Sequence, residues 1–296
     1  MKDPYPKIRR KPRLEKQERT RLLEEIAQLS ENESPPAAPE TLPAAPPRIE
    51  KLPRIVDPWN TLQMLDVNQP ALERNLVITA SRHDPAHAAF EVLRARLVQT
   101  LANQGWKRVA ITSPTPGCGK TFVAVNLGIA LSRYDNCRTV LLDMDMRHPT
   151  MASVLGVHAP GSVSDFLRGA VPPENHLHKL GQNMLNIGSN LALGLNSRAE
   201  DFAAEIIENA ATGETLGRLE REISPDVMLF DLPPALSHDD VLALRPHLDA
   251  VLLVVSGDRT TARDIRETTR RLGERCPLLG IILNRSEDGA HIQQWV

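Results

Sequence analysis

From about residue 80 onward, apolar positions along this chain follow two alternating rhythms. Short β-rich runs at 108–113, 138–143, 183–188, 226–231, 250–255 and 278–283 alternate with helix-length segments at 86–103, 119–133, 200–210, 215–223 and 261–275. The strand-like runs are nearly continuous in apolar character, as in Val251-Leu252-Leu253-Val254, so both faces of each strand need covering. Helices recurring between such strands supply that cover. The predicted class is therefore α/β, a mostly parallel sheet with helices on both faces. Ligands of such sheets bind at the carboxyl ends of the strands, and chemistry is expected there.

Before this region the pattern changes. Residues 1–21 hold nine Lys/Arg against three acids. Leu22, Ile26 and Leu29 share one side of a possible short helix over 14–29. Residues 1–33 read as a basic tail, either solvated and partly disordered or in contact with a membrane surface or partner. Residues 34–75 carry Pro35, Pro36, Pro39, Pro43, Pro46, Pro47, Pro53 and Pro58 among alanines, the composition of an extended linker. The compact domain is expected over 76–296.

Composition narrows the function classes. A chain of 296 residues with 41% hydrophobic content can hold one large domain plus a tail. A formal charge of −2 gives no global reason to expect nucleic acid, and 3% aromatic residues argue against a stacking platform for single strands. Cys118, Cys137 and Cys276 show no paired spacing, which fits a reducing cytoplasm rather than a disulfide or metal framework. The longest apolar runs fall well below the roughly 18 residues of a membrane span, and Met1-Lys2-Asp3 is not followed by a signal-peptide core. The expected location is the cytoplasm, with recruitment to the inner membrane face through a partner.

The strongest motif runs from Arg108 to Thr121, RVAITSPTPGCGKT: an apolar strand, a Pro/Gly loop, then Gly119-Lys120-Thr121 opening a helix. A nucleotide triphosphate needs backbone amides around its phosphates, a lysine on the outer oxygens, a hydroxyl for Mg²⁺ and a helix N-terminus facing the charge. The spacing departs from the usual one, because Pro114 stands where the first glycine of a P-loop falls. Gly117 and Gly119 still give the backbone freedom to approach phosphate. Pro116, Gly117, Cys118, Gly119, Lys120, Thr121 and Phe122 are the candidate nucleotide contacts, with Asn284 and Arg285 after the last strand offered to the base.

Two other strand ends add acids. The run Val140 to Pro149 ends in Asp143, Asp145 and Arg147, and alternation places both carboxylates on one side. The run Val227 to Pro234 ends in Asp231, the form of a Walker B carboxylate. A lone acid after a strand is more often a cap or turn residue. Two such ends, with the amide end at Asn284 and a P-loop beside them, instead predict a Mg²⁺ site at Thr121, Asp231 and Asp143. Asp143 would also be a base or water-positioning group, while Asp145 and Arg147 either serve the transfer or brace the loop.

Together the order SPTPGCGKT, VLLDMDMRHP, FDLPP and LGIILNR resembles the bacterial tyrosine kinases, the CpsD/CapB-type autokinases of polysaccharide export, within the MinD/ParA-like ATPases. The resemblance covers roughly residues 80–286. Thr115 stands where MinD and ParA proteins carry a signature lysine, and the runs 113–117 and 143–149 resemble the kinase branch. The resemblance implies a P-loop NTPase fold, ATP and Mg²⁺, and phosphoryl transfer to protein tyrosine. Lys120 would neutralise the phosphates, Thr121 and Asp231 would hold Mg²⁺, and Asp143 would activate the acceptor with Asp145 and Arg147 nearby. Asp240 matches a recurring acid of unspecified role. It also implies a membrane chain-length determinant or co-polymerase partner with a cytoplasmic activating segment, and a possible homo-oligomer.

Departures keep a second reading open. Relatives commonly end in a tyrosine cluster, whereas this sequence has only Tyr5 and Tyr134. The family's self-association motif aligns with Ala88, Glu91 and Arg94, of which only the arginine matches. The alternative is a kinase-poor ATPase switch regulating the same export machinery. Cys118, at a helix N-terminus, is a candidate for oxidation, though a tolerated loop residue is the simpler reading.

Overall fold

Four of the strands that carry candidate site residues lie within one contiguous run of the sheet, which is what positions the site. The computed structural model describes residues 57–286, apart from 67, 76, 78–84, 135, 159, 181–186 and 275. The basic tail, Tyr5 and most of the 183–188 run lie outside the described residues. The strands are β1 (Gln63–Leu65), β2 (Arg108–Thr112), β3 (Thr139–Asp143), β4 (Leu177–Leu180), β5 (Leu191–Gly194), β6 (Val227–Asp231), β7 (Ala250–Ser256) and β8 (Leu278–Asn284). They pair in the order β1-β4-β5-β3-β6-β2-β7-β8. From β5 through β8 every neighbouring pair is parallel, while β4 runs antiparallel to β5. This is a P-loop NTPase-like, mostly parallel α/β sheet.

Alternation along the strands feeds two cores. Val109, Ile111, Leu141, Leu229, Leu252 and Val254 pack on one face with the helices α3 (Pro85–Gln104) and α4 (Lys120–Ser132). Ala110, Val140, Leu142, Met228, Phe230 and Leu253 pack on the other face. There they meet α9 (Ala210–Ile223), through Leu216, Leu219 and Ile223, and α11 (Ala262–Leu272), through Ile265 and Leu272. Helix α4 is buried on almost every side, because the sheet lies beneath it and α3 covers it, with Phe90 and Phe122 meeting edge to face at 5.9 Å. That burial anchors the helix that presents Lys120. The entry to α11 is fixed by a reciprocal cap between Thr261 and Asp264.

Shorter helices complete the order: α1 (Pro58–Thr61), α2 (Gln69–Arg74), α5 (Met151–Leu155), α6 (Val163–Leu167), α7 (Pro173–His176), α8 (Ala203–Glu208) and α10 (Asp240–Leu244). Within the stretch read as linker, Trp59 and Leu62 are buried in the core, the Trp59 indole N–H donates to the Ser189 carbonyl at 3.1 Å, and Arg138 lies over its ring while pairing with Asp57. An indole of this size has far more apolar area to bury than the surrounding prolines. The 183–188 run differs from expectation: its described residues 187–188 are not strand, and the sheet is continued by β4 and β5 on either side of it. Among the described residues no helix is long and apolar enough to cross a membrane.

Candidate functional site

The P-loop bends tightly between β2 and α4 because two glycines take backbone angles closed to most residues, φ 81° at Gly117 and φ 90° at Gly119. Space is also short there. A Cβ on Gly119 would lie 2.2 Å from Asn284 Nδ2, and one on Gly117 would lie 2.4 Å from an Arg259 Nη. Asn284 Nδ2 donates to the Cys118 carbonyl at 2.8 Å, so the end of β8 holds the loop from outside. The Cys118 thiol is fully buried and donates to the Thr115 carbonyl at 3.2 Å.

At the foot of the loop a cavity of about 450 Å³ is lined by Pro116, Gly117, Gly119, Lys120, Thr121, Asp145, His148, Thr150, Pro234, Ser237, His238 and Arg285. Lys120 Nζ sits 2.6 Å from Asp145 Oδ2. Burial lowers the lysine's pKa, but the carboxylates of Asp231, Asp145 and Asp143 together outweigh it and hold the amine protonated. The side chain of Asp145 is almost fully engaged, since its other oxygen accepts from the His148 N–H at 3.1 Å.

Asp143 and Asp231 lie directly opposite each other on adjacent strands β3 and β6 and are both fully buried. Asp143 Oδ2 accepts from the Met151 N–H at 3.2 Å, but among the described residues its Oδ1 and both oxygens of Asp231 have no partner within hydrogen-bond geometry, the Thr121 hydroxyl lying nearby without meeting it. Burial pushes Asp143 well above the carboxylate range, and the charges of Asp231 and Asp145 act in the same direction. Burial raises Asp231 to about 6, with Lys120 and the nearby Thr121 hydroxyl offsetting part of the rise. Two facing carboxyls with orphaned oxygens beside a P-loop threonine are poor packing for a core and a good donor set for a hard cation. Thr121, Asp231 and Asp143 thus fit Mg²⁺, which commonly takes one or two carboxylates and completes its shell from phosphate and water.

The structure gathers Pro116, Gly117, Gly119, Lys120, Thr121, Asp145 and Arg285 around one cavity, with Asp143 and Asp231 among the groups that act on Lys120. It places Arg147 differently. Its guanidinium grips the buried Asp240 through two bonds of 2.9 and 3.0 Å and donates to the Asp201 carbonyl at 2.6 Å, so it braces the loop after β3 against α10. Phe122 faces Phe90 rather than the cavity, and Asn284 acts on the Cys118 backbone. Tyr134, beyond the far end of α4, is 46% exposed with Arg94 5.5 Å above its ring, and Arg94 pairs with Glu91. Sequence reasoning did not place His148, Thr150, Pro234, Ser237 or His238 at the cavity. All five follow β3 or β6, so the strand-end rule was the signal that pointed to them.

The description "CobQ/CobB/MinD/ParA nucleotide binding domain" belongs to the family model that matches residues 109–295, more than half of the chain. EpsB of Ralstonia solanacearum, a protein assigned to the tyrosine-protein kinases, is 30% identical over 189 residues, covering 64% of this chain and 24% of EpsB. The chain thus spans about a quarter of the length of that relative. The tyrosine-protein kinase YwqD of Bacillus subtilis is 22% identical over 221 residues, covering 74% of this chain and 90% of YwqD. Among solved structures, the VpsO kinase domain superposes with a TM-score of 0.58 at 26% identity, covering 67% of this chain and 95% of that one. The kinase domain of the Escherichia coli tyrosine kinase ETK shares the fold, with a TM-score of 0.63 at 20% identity over 74% of this chain and 84% of its own.

Proposed function

The chain belongs to the CobQ/CobB/MinD/ParA nucleotide-binding family, and from that premise we propose that it is an ATP-dependent protein-tyrosine kinase that regulates exopolysaccharide or capsule polymerisation and export. One observation carries the reading: Lys120 and Thr121 of the P-loop share a site with Asp145 and with the facing, buried pair Asp143 and Asp231. The likeness to EpsB and to the VpsO kinase domain supports it. Phosphoryl transfer needs little covalent chemistry from the protein, because positioning and charge neutralisation do most of the work.

In this reading the N–H groups of the Gly117–Thr121 loop and the N-terminus of α4 receive the phosphates of ATP. Lys120 exchanges its bond to Asp145 for the outer phosphate oxygens, and Asp145 stays beside it as the group that pre-positions the amine. Thr121, Asp231 and Asp143 hold Mg²⁺, which neutralises phosphate charge when bound. Arg147 keeps the Asp145 loop in place through Asp240. Arg285, which follows β8 and lines the cavity, is the residue offered to the nucleoside in this reading. The expected partner is a membrane chain-length determinant or co-polymerase whose cytoplasmic segment activates the kinase, which would hold it at the inner membrane face and favour self-association.

The test is incubation of purified protein with γ-labelled ATP and Mg²⁺, with and without the partner's cytoplasmic segment, followed by phosphoamino-acid analysis. Label on tyrosine that is absent in Lys120→Ala supports the kinase. Released phosphate with unlabelled protein and unlabelled partner would overturn it in favour of a slow ATPase switch.

A further inference from the structure

The cavity is furnished for phosphate far better than for a base. Gly117, Gly119, Lys120 and Thr121 bring backbone amides, an amine and a hydroxyl, while no Phe, Tyr or Trp is among its described lining residues to stack on a purine. The side-chain amide of Asn284 has the donor and acceptor to pair with a base edge, but both ends of it are engaged by this chain's own backbone. Its Nδ2 donates to the Cys118 carbonyl at 2.8 Å, and its Oδ1 accepts from the Arg285 N–H at 2.9 Å. Turned over, the amide would set oxygen against carbonyl and N–H against N–H, so these two partners fix its plane and its facing. The surrounding backbone serves the same end. Arg285 takes φ 55°, an uncommon angle for a residue other than glycine, where its N–H meets Oδ1, and the Asn284 carbonyl accepts from the Gly257 N–H at 2.9 Å.

We propose that Asn284 is a positioning residue for the phosphate loop, and that the site selects its nucleotide by the triphosphate chain and not by an amide–base pair. Cys118 lies between Gly117 and Gly119, whose backbone angles of 81° and 90° turn the loop. The Cys118 carbonyl and the Gly119 N–H belong to one trans peptide plane and point opposite ways. Holding the carbonyl on Asn284 therefore aims the Gly119 N–H away from β8, as one of the amides that receive phosphate. The fit is close, since a Cβ on Gly119 would lie 2.2 Å from Nδ2, and glycine is what lets the amide reach the carbonyl. The loop after β7 adds a second brace, with the Arg259 guanidinium against Gly117 and Thr260 Oγ1 3.5 Å from Cys118 Sγ. The inference rests on the nucleotide half of the reading given above and is independent of the acceptor.

The experiment is calorimetric titration of the full chain with ATP, GTP and inorganic tripolyphosphate, each with Mg²⁺, in wild type, Asn284→Ala and Asn284→Asp. Wild type is expected to bind ATP and GTP within about threefold of each other, less than one hydrogen bond is worth. Both variants are expected to lose affinity for all three ligands by a common factor of about tenfold, the worth of one bond to the loop. Urea unfolding without ligand checks that each variant is folded. A variant that loses ATP while keeping tripolyphosphate, or a wild type that prefers ATP to GTP by more than about tenfold, overturns the inference in favour of a base reader. Variants whose unfolding midpoint falls while all three affinities stay unchanged overturn it too, because the contact then serves the fold alone. Where a variant does not fold, the wild-type comparison of ATP with GTP decides. Binding of all three ligands with no tyrosine labelled overturns the kinase reading and leaves the inference standing, whereas binding of none overturns both.

Discussion

Replacing Asp231 by asparagine should stabilise the nucleotide-free protein while removing its response to Mg²⁺ and nucleotide. The carboxyl is fully buried, has no donor within hydrogen-bond geometry of either oxygen among the described residues, and faces Asp143 across the strand pair. Burial raises its pKa to about 6. A carboxyl raised in the fold is ionised more readily in the unfolded chain, so the penalty is full above pH 6. It shrinks as pH falls from about 6 towards the ordinary carboxylate value, where both states are protonated. A rise of about two pKa units corresponds to about 3 kcal/mol. That rise is already net of the attraction of Lys120, so the expected gain at pH 8 is about 3 kcal/mol.

Urea unfolding followed by circular dichroism, in EDTA and without nucleotide, measures the difference, and repeating it from pH 8 to pH 4 checks its decline. The second half of the experiment adds Mg²⁺ and ATP, which should raise the unfolding temperature of wild type and leave Asp231→Asn nearly unmoved. An asparagine variant that is less stable than wild type at pH 8, or whose difference does not change with pH, would refute the reasoning. It would mean that the facing carboxyls are satisfied within the fold and are not held ready for a cation.

Three further outcomes follow from particular contacts. Asp145→Asn should free Lys120 and remove a negative charge from the phosphate site, tightening ATP binding by up to about tenfold (about 1.4 kcal/mol) in a calorimetric titration while slowing transfer. Gly119→Ala should strain a φ of 90° and press on the Asn284 amide; a cost of about 1–3 kcal/mol and loss of nucleotide binding are expected by thermal shift. His176 is stacked on Phe166 at 4.6 Å, and burial, aided by the charge of His178, lowers its pKa to about 4. A histidine lowered in this way supports the fold fully above its unfolded pKa and loses that support as pH falls from about 6.5 to 4. His176→Phe should therefore gain about 2–3 kcal/mol on wild type between pH 8 and pH 4.5, read from urea midpoints.

Much of this fold was legible because the strands that matter most are buried on both faces. The runs at β2, β3, β6, β7 and β8 are continuous apolar segments, and their ends fall within a residue or two of where the sequence places them. The outer strands were harder to read. β4 is four residues long and carries His178 and Lys179, so its alternation is masked, while β5 is four residues beside the run at 183–188. Trp59 was hidden by its surroundings, since one indole fixes to the sheet a segment whose composition otherwise reads as linker.

For the site, local motifs were visible and spatial pairings were not. The P-loop and the three strand-end acids announce themselves by spacing. That Asp143 faces Asp231 depends on β6 lying between β3 and β2, an order that no local pattern encodes. The pairing of Arg147 with Asp240 joins residues 93 positions apart, and it sets the arginine to hold a loop. The two histidines at the cavity sit in loops, where periodicity carries no signal.

The central claim is that phosphate leaving ATP at this P-loop goes to tyrosine. Its most direct test is a mass balance in a single reaction of the full chain with γ-labelled ATP, Mg²⁺ and a tyrosine acceptor, counting ADP, free phosphate and phosphotyrosine over time. The account predicts phosphotyrosine rising in step with ADP, and both disappearing in Lys120→Ala. ADP matched wholly by free phosphate, with no phosphotyrosine at any time, would contradict it.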